Sequence, residues 1–332
     1  MTDNSPLIEA QQTFVDAVLL RALDTQTCPL LEALDRTLYA NFNAPEDSPP
    51  YHRAIVEGFL VNTAETQSAS EESPVSFRVT GNVQPGDESC PAVKAGEATE
   101  TSTGSILPDG PFSIVRMWEA KREGDTVTIT RPFPPRFFIE EQGCDIAKGS
   151  TVIEAGTVLQ PDHLATLASM GVDKVEVSSR AKVSIFASGD EVVPHTAPLR
   201  PGSIRDCNSV QLSAAVTQAG GQAQPCGIMA DDFDTFAAVI EEVLEESDMI
   251  VISGGTAVGG RDFVSDLIKE VGELIIDGVP MRSGRPLIMG IARGKPIIAV
   301  AGHPPEALRG FRLFGEPALR KLLGQKVEIA TN

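Results

Sequence analysis

The sequence predicts an α/β protein that carries a β-rich insertion. From residue 182 onward, short runs rich in Val and Ile alternate with amphipathic helical segments, a pattern typical of a parallel sheet covered by helices. Between residues 51 and 142 the helical period is absent, and short Val, Thr, Ile and Phe runs alternate with Gly, Pro and Asp, which indicates short strands. We therefore expect a helical domain from residues 1–48 and 143–180, an inserted β-rich domain over residues 49–142, and a three-layer α/β domain over residues 181–332.

The first predicted element is an amphipathic helix over residues 6–23. Its apolar side chains recur at close to helical spacing, and Ser5 is placed to cap its amino end. A second, shorter helix is predicted near residues 30–38. Another is predicted over residues 161–170 and ends at Gly171, since glycine readily adopts the left-handed conformation that closes helices.

The α/β domain supplies the remaining predicted elements, and its centre is the run from Met249 to Ser253. That run consists mainly of Ile and Val, the composition of a strand buried on both faces of a parallel sheet. The other predicted strands cover residues 183–187, 222–228, 287–290 and 297–300. The predicted helices cover residues 209–218 and 232–246, a stretch that begins after Asp262, and residues 307–323.

Composition and charge narrow the class of protein. The chain has 332 residues, and its 46 acidic and 27 basic side chains give a net charge of −19, which argues against general binding to nucleic acid or to an anionic membrane. Five cysteines are scattered without a C-x-x-C pair, which indicates reduced thiols and a cytoplasmic setting. The amino-terminal segment lacks the basic start and apolar run of a signal peptide, and no apolar stretch approaches the roughly 20 residues of a membrane span.

Ligands of open α/β sheets bind beyond the carboxyl ends of the strands, and four segments of this chain are expected to converge there. They are residues 188–191, residues 206–208, the glycine turn 254–260 with Asp262, and residues 301–305. The carboxylates of Asp190, Glu191, Asp206 and Asp262 are hard oxygen ligands that suit Mg²⁺. Each acid taken alone is better explained as a helix cap or a solvated loop residue, but their placement at successive loop ends favours a binding site.

Two features of this acidic chain suit a phosphate or another oxyanion. Four glycines fill the turn 254–260 between the central strand and a helix, so free N–H groups and the helix dipole favour an anion. A tight turn without a ligand fits the same residues. Arg282 and Arg285 flank a Ser-Gly turn, and paired guanidinium groups match oxyanion geometry, although surface arginines without a ligand would give the same sequence.

A series of short motifs occurs in the order found in the molybdopterin molybdotransferase family, which includes MoeA and the gephyrin E domain. The sequence resembles that family from about residue 8 to residue 324. The first half resembles five motifs of the family. They are D-G-Y at residues 57–59, G-E-A at residues 96–98, T-G at residues 103–104, L-P at residues 107–108 and G-E-D-I-x-x-G at residues 143–149. The second half resembles six further motifs of the family. They are T-G-D-E at residues 188–191, D-S-N at residues 206–208, paired acids at residues 231–232, G-G-V-S-V-G-x-x-D at residues 254–262, K-P-G-K-P at residues 282–286 and G-N-P at residues 302–304.

The resemblance implies a fold, an assembly and a reaction. It implies a C-terminal molybdopterin-binding α/β domain, a helical first domain and an inserted β domain. It also implies an elongated homodimer whose site forms between the α/β domain of one subunit and the N-terminal parts of the other. The implied enzyme is a molybdopterin molybdotransferase of molybdenum cofactor biosynthesis, which takes adenylylated molybdopterin and molybdate with Mg²⁺ and releases AMP. An upstream adenylyltransferase is a possible further partner.

Carried over position by position, the resemblance assigns roles to individual residues. The expected catalytic residues are Glu57, Asp145, Glu191 and Asp262, with Glu57 and Asp145 contributed by the dimer partner. The expected metal ligands are Asp190, Glu191 and Asp262. The expected substrate-binding residues are Thr103, Gly104, Ser188, Gly189, Asp206, Asn208, Asp232, Gly254, Gly255, Arg282, Ser283, Gly284, Arg285, Gly302 and His303.

Several positions depart from the family pattern and keep other functions open. Glu57 replaces Asp, Ala54 replaces Ser, Arg282 and Arg285 replace Lys, Ser283 replaces Pro, Gly278 stands where Lys is frequent, and His303 replaces Asn. The sequence ends at Asn332, before the C-terminal β domain of full-length members, so we expect a divergent member. A second hypothesis is therefore a carrier or sensor that binds molybdopterin, the molybdenum cofactor or molybdate without turnover. A third is a nucleotide-processing enzyme on the same α/β domain, as in competence- and damage-inducible proteins.

Overall fold

A computed structural model describes residues 5–19, 23–230, 232–254, 263–281, 284–327 and 329. Eight α-helices are assigned within this part of the chain: α1 Ser5–Ala17, α2 Thr63–Thr66, α3 Pro161–Ser169, α4 Asn208–Gln218, α5 Phe233–Glu246, α6 Phe263–Val271, α7 Pro304–Gly310 and α8 Glu316–Leu322. A π-helical turn, Phe311–Gly315, joins α7 to α8. None of the helices in the described ranges has the length and apolar character needed to cross a membrane.

Twenty β-strands are assigned within the same ranges. The first ten are β1 Thr25–Pro29, β2 Phe42–Asn43, β3 Arg53–Ala54, β4 Gly58–Asn62, β5 Val75–Val83, β6 Glu97–Thr101, β7 Phe112–Arg116, β8 Lys121–Glu123, β9 Thr126–Ile129 and β10 Ile139–Glu140. The others are β11 Thr151–Ile153, β12 Lys174–Ser178, β13 Lys182–Ser188, β14 Val192–Val193, β15 Ile204–Arg205, β16 Gln222–Met229, β17 Met249–Ser253, β18 Glu273–Met281, β19 Gly284–Ala292 and β20 Lys295–Val300.

The chain divides into two compact units, one made of Met1–Asn41 with Ile153–Asn332 and the other of Phe42–Val152. The first unit is built on a six-stranded sheet with the order β16-β13-β17-β20-β19-β18. The first four strands of that order run parallel, and β19 is antiparallel to both of its neighbours. Every residue of β17 is buried, as expected at the centre of a parallel sheet. The predicted α/β fold with a parallel-rich sheet is confirmed.

Helices cover both faces of this sheet and create two cores. On one face, α1, α4, α7 and α8 pack on the strands through buried side chains such as Leu212 and Leu319. On the other face, α5 and α6 pack through side chains such as Phe236. Successive residues of β17 enter different cores, Ile250 on the second face and Val251 on the first, because side chains alternate along a strand. The unit therefore has three layers.

The path of the chain opens a crevice at one point of the sheet. After β13 the chain passes through α4 on one face to reach β16, whereas after β17 it passes through α6 on the other face to reach β18. Because β13 and β17 are neighbours, the connections that follow them diverge and leave a crevice at their carboxyl ends. Such a topological switch point is where open α/β sheets bind ligands.

The amino-terminal part of this unit contains less helix than the sequence predicts. The helix expected near residues 30–38 is only a 3₁₀ turn, Leu30–Ala33. The backbone after the turn is held by distant partners, since the Leu38 N–H donates to the Thr157 carbonyl and the Tyr39 N–H to the Glu176 carbonyl. Hydrogen bonds to distant segments thus override the local helical pattern.

Strand β18 has no counterpart among the predicted strands. It forms an antiparallel hairpin with β19, and its register shifts at three places along the pair. Its sequence contains Gly278, with φ of +85°, and a proline. Glycine and proline weaken a strand pattern and mark bulges, which explains why periodicity did not indicate this strand.

The second unit is built on another six-stranded sheet, with the order β7-β4-β6-β5-β9-β8. Its strand pairs are antiparallel except for β5 and β6, which are parallel. Side chains such as Phe59, Phe77 and Leu60 are buried in its cores. The predicted β-rich insertion is confirmed.

Candidate functional site

The carboxyl ends of β13 and β17 meet at the crevice through small residues. Ser188 ends β13 and Ser253 ends β17, and these residues are only 4% and 3% exposed. Gly254 follows with φ of +92°, a conformation that side chains disfavour. A Cβ atom at Gly254 would lie 2.5 Å from the carbonyl oxygen of Ser188. Only glycine therefore lets the two strand ends approach this closely.

Two carboxylates follow β13 on the solvent side of the crevice. Asp190 and Glu191 are both exposed. A Cβ atom at Gly189 would lie 2.9 Å from Oε2 of Glu191, so the Glu191 side chain folds back over this turn. The Ile204 N–H donates to the Glu191 carbonyl at 2.9 Å and anchors the backbone there. The third predicted metal ligand, Asp262, lies outside the described residues.

Asn208, the first residue of α4, links three of the predicted segments. It is 8% exposed, and its Nδ2 donates to Ser253 Oγ at 2.6 Å and to the Gly302 carbonyl at 2.7 Å. The structure thus brings the start of α4 together with the ends of β17 and β20. Because both amide hydrogens are used inside the protein, Asn208 shapes the crevice that a ligand would enter.

Asp206 lies beside a groove that opens next to the crevice. The residue is 9% exposed, and its Oδ1 accepts a hydrogen bond from the Ser209 N–H at 2.9 Å, which stabilises the start of α4. The groove has a volume of about 790 Å³. Its walls come from the ends of β13 and β16 and from the first turns of α4, and they include Val192, Val210 and Met229.

No pattern in the sequence indicates this groove. Its lining is drawn from residues 189–230, and the apolar side chains of β16 read as ordinary core positions. The sequence also does not indicate a second feature, the hydroxyl of Ser209. Its Oγ is buried and has no hydrogen-bond partner within the described part of the chain. An unpaired buried hydroxyl is costly, and this one lies in a residue that lines the groove.

Asp232 and His303 precede helices. Asp232 is exposed, and its Oδ1 accepts a hydrogen bond from the Thr235 N–H at 3.0 Å, which caps α5. The hydrogen bonds from Thr235 lower the pKa of Asp232, so the cap stays charged near neutral pH. His303 precedes α7 without capping it through its side chain, and it is exposed next to Gly302.

Part of the predicted oxyanion site lies outside the described residues. This is the case for Gly255, Asp262, Arg282 and Ser283, whose roles stay predictions. Gly284 and Arg285 open β19, and only the backbone of these two residues is described. The described part of the predicted anion site is therefore the crevice at Gly189 and Gly254.

The other predicted site residues, Glu57, Thr103, Gly104 and Asp145, belong to the second unit. Glu57 and Thr103 are exposed. Gly104 has φ of +89°, and its N–H donates to the Ala54 carbonyl at 2.7 Å. The sharp turn at Thr103 and Gly104 is thus held against β3.

Asp145 belongs to a small cluster with Glu140 and Cys144. One ligand atom from each lies within 4.8 Å of the others, and this is the only such group of metal-binding side chains among the described residues. Glu140 already forms an ion pair with Arg53, and a thiolate suits soft metals rather than Mg²⁺. The cluster therefore does not match a magnesium site.

Comparison with known proteins identifies the family. Residues 5–171 match the family described as the MoeA N-terminal region, domains I and II. Residues 184–321 match the family described as a probable molybdopterin binding domain. The chain belongs to the MoeA family. The two matched ranges contain all of the site residues that the sequence predicts.

Relatives of this MoeA-family chain align along most of its length. A molybdopterin molybdenumtransferase of Staphylococcus aureus is 28% identical over 320 residues, which cover 96% of this chain and 76% of the relative. Molybdopterin molybdenumtransferase 2 of Mycobacterium tuberculosis is 29% identical over 316 residues, which cover 93% of this chain and 78% of the relative. The crystal structure of a molybdopterin biosynthesis MoeA protein from Pyrococcus horikoshii matches with a TM-score of 0.81 at 32% identity, covering 96% of this chain and 80% of that one.

Replacing Gly254 with alanine tests whether the strand ends must touch. Gly227→Ala is the matched control, because Gly227 on β16 has a similar φ of +95° and no non-neighbouring atom within 4 Å of the position a Cβ would take. Both substitutions carry the strain of a positive φ, about 1–3 kcal/mol, and only Gly254→Ala adds the clash with Ser188. We expect a lower Tm for Gly254→Ala than for Gly227→Ala in thermal unfolding. Equal Tm values would mean that the strand ends have room for a side chain.

Proposed function

We propose that this chain inserts molybdate into adenylylated molybdopterin and releases AMP, in a reaction assisted by Mg²⁺. Family membership already makes the chain a transferase of molybdenum cofactor biosynthesis. The relatives from S. aureus and M. tuberculosis are named molybdopterin molybdenumtransferases, and we extend that activity to this chain. The adenylylated substrate would come from an upstream adenylyltransferase.

The observation that carries this proposal is the crevice between β13 and β17. It is bordered by the backbone at Ser188, Gly189 and Gly254, and the lack of side chains at the two glycines lets a phosphate or molybdate come close. Backbone dipoles fixed around such a site stabilise charge that develops on the leaving phosphate. Cleavage of the adenylate then needs no covalent nucleophile on the protein.

The donors at the end of β13 fit the chemistry of Mg²⁺. Asp190 and Glu191 offer two hard oxygen donors, and protein-bound Mg²⁺ commonly takes one or two carboxylates together with waters and substrate phosphates. Asp190 and Glu191 would hold the ion, and Asp262 is the predicted third ligand. Bound Mg²⁺ supplies positive charge against the phosphate oxygens.

We propose that the groove beside Asp190 receives the pterin ring system. Its volume of about 790 Å³ lies in the range of pockets for small organic ligands. Val192 and Met229 offer apolar contacts to a flat ring, and the largely buried carboxylate of Asp206 can accept hydrogen bonds from ring N–H groups. The groove adjoins the crevice because Gly189 and Asp190 border both.

A non-catalytic protein is the second candidate. Glu57, Ala54 and His303 depart from the family pattern, which favours a carrier or sensor that binds molybdopterin or the molybdenum cofactor without turnover. Both candidates use the same crevice and groove. They differ in one product, since only the enzyme releases AMP.

AMP release under single-turnover conditions separates the two candidates. Excess protein is mixed with adenylylated molybdopterin, molybdate and Mg²⁺, and AMP is quantified over time. We expect release that requires both molybdate and Mg²⁺, and we expect Asp190→Asn to slow it by about 100-fold, the effect of removing one charge-stabilising group. Substrate binding without AMP release would contradict the catalytic proposal and support a carrier.

The dependence of the AMP-release rate on protein concentration gives the affinity for the substrate. This affinity tests the groove through Val210, which is 53% exposed. Val210→Trp should fill the groove and weaken substrate binding with little effect on folding. Gln218→Trp, at the exposed end of the same helix, is the control. Equal affinity in the two variants would place the pterin elsewhere.

We also propose that the site is completed in a homodimer. Glu57 and Asp145 lie in the unit Phe42–Val152, and the resemblance assigns them to the site of the partner subunit. In a dimer with twofold symmetry, each of two equivalent sites would then use Asp190 from one subunit and Glu57 from the other.

Hybrid dimers test this assignment. Asp190→Ala and Glu57→Ala chains are each expected to be inactive, but co-expressed chains with different tags form hybrids in which one site keeps both side chains. We expect the purified hybrid to regain AMP release. A hybrid of Asp190→Ala with Glu191→Ala is the control, since both of its sites lack one ligand. If the first hybrid stays as inactive as the control, Glu57 does not act across the dimer.

A further inference from the structure

Gln211 lies one helical turn after Asn208 on α4 and contacts it directly. Its Nε2 donates to Asn208 Oδ1 at 2.8 Å and to the Pro304 carbonyl at 2.8 Å. Residues three apart share one face of a helix, so Asn208 and Gln211 form a pair of side-chain amides. Gln211 is half-buried and has no role among the residues that the sequence predicts for the site.

The orientation of both amides is determined by backbone carbonyls. A carbonyl oxygen only accepts hydrogen bonds, so Asn208 must turn Nδ2 toward Gly302 and Gln211 must turn Nε2 toward Pro304. The Asn208 Oδ1 then faces the Gln211 Nε2, and donor meets acceptor. If the side-chain amide of Gln211 were turned by about 180°, its oxygen would face two acceptors, the Asn208 Oδ1 and the Pro304 carbonyl. Each of the two amides therefore has a single orientation.

The pair of amides, Asn208 and Gln211, joins four elements around the crevice. Asn208 reaches Ser253 at the end of β17 and Gly302 after β20. Gln211 reaches Pro304 at the start of α7. Both side chains start from α4, which follows the loop after β13. The spacing between the turn at Gly254 and the loop at Gly302 thus depends on the two amides, and a Cβ atom at Gly302 would lie 3.8 Å from the Gly254 Cα.

We propose that Gln211 is a positioning residue for the transfer reaction. It holds the Asn208 amide in the orientation that ties β17 to the loop after β20, and so fixes the position of Gly254 on one side of the crevice in which the oxyanion would sit. Its effect on the rate rests on the proposed function. Its effect on the geometry of the strand ends does not.

Two substitutions of Gln211 test this role. Gln211→Met keeps the length of the side chain and removes both donors, and Gln211→Glu places a carboxylate against two acceptors. Gln218→Met and Gln218→Glu, at the exposed end of the same helix, are the matched controls. We expect both Gln211 variants to lower the single-turnover rate at saturating substrate by about 10- to 100-fold, the scale of a small misplacement of reacting groups, with a smaller change in the substrate Kd.

A double-mutant comparison separates positioning from a general structural effect. If Gln211 acts through Asn208, Gln211→Met should add little to the loss already present in an Asn208→Ala background. Losses that multiply in the double variant, or a Gln211→Met rate equal to that of Gln218→Met, would overturn the proposal. Gln211→Met decides the outcome if Gln211→Glu fails to fold.

Hydrogen exchange tests the same role without substrate. The Gly254 N–H donates to the Val300 carbonyl at 3.2 Å, so its exchange reports on the contact between β17 and β20. We expect faster exchange at Gly254 in Gln211→Met than in Gln218→Met, and unchanged exchange would overturn the proposal. If the wild-type protein releases no AMP, the proposed function fails while this measurement still decides the positioning role.

Discussion

The candidate site depends on one constraint: the connections that follow the neighbouring parallel strands β13 and β17 leave on opposite faces of the sheet. Helix α4 must bury Leu212 in one core, while α5 and α6 bury Phe236 and Leu267 in the other. Emptying one such position typically costs about 2–5 kcal/mol, against a total stability of about 5–15 kcal/mol for a domain. The two cores therefore fix the faces on which the helices lie, and the crevice follows from that choice.

Close approach at the crevice is achieved with small residues and side-chain amides. Gly254 lets β17 end against the Ser188 carbonyl, and Asn208 with Gln211 ties the next loop to the same place. A neutral hydrogen bond contributes only about 0.5–1.5 kcal/mol, so these bonds matter less for stability than the cores do. Their main effect is geometric, since they determine where backbone dipoles point before a ligand arrives.

The sequence revealed those parts of the molecule that follow from local pattern. Met249–Ser253 could be predicted as a strand because a strand buried on both faces is mainly apolar. Parallel strands share one carboxyl edge, so the sequence also predicts that four loop residues lie near one another: Gly189, Asn208, Gly254 and Gly302. Gln211 could not be recognised, because a glutamine within a helix usually faces solvent. The groove, the extended segment after Leu30–Ala33 and strand β18 depend on contacts between distant residues, which spacing along the chain does not encode.

The most direct test is the position of a bound oxyanion. Crystals grown with molybdate or tungstate would show the metal atom by anomalous scattering, independently of any assumption about the pterin. The crevice at the switch point predicts a peak between the ends of β13 and β17, close to Gly189 and Gly254. A peak elsewhere, such as at Glu140, Cys144 and Asp145 in the other unit, would contradict the claim that the crevice between β13 and β17 is the reaction site.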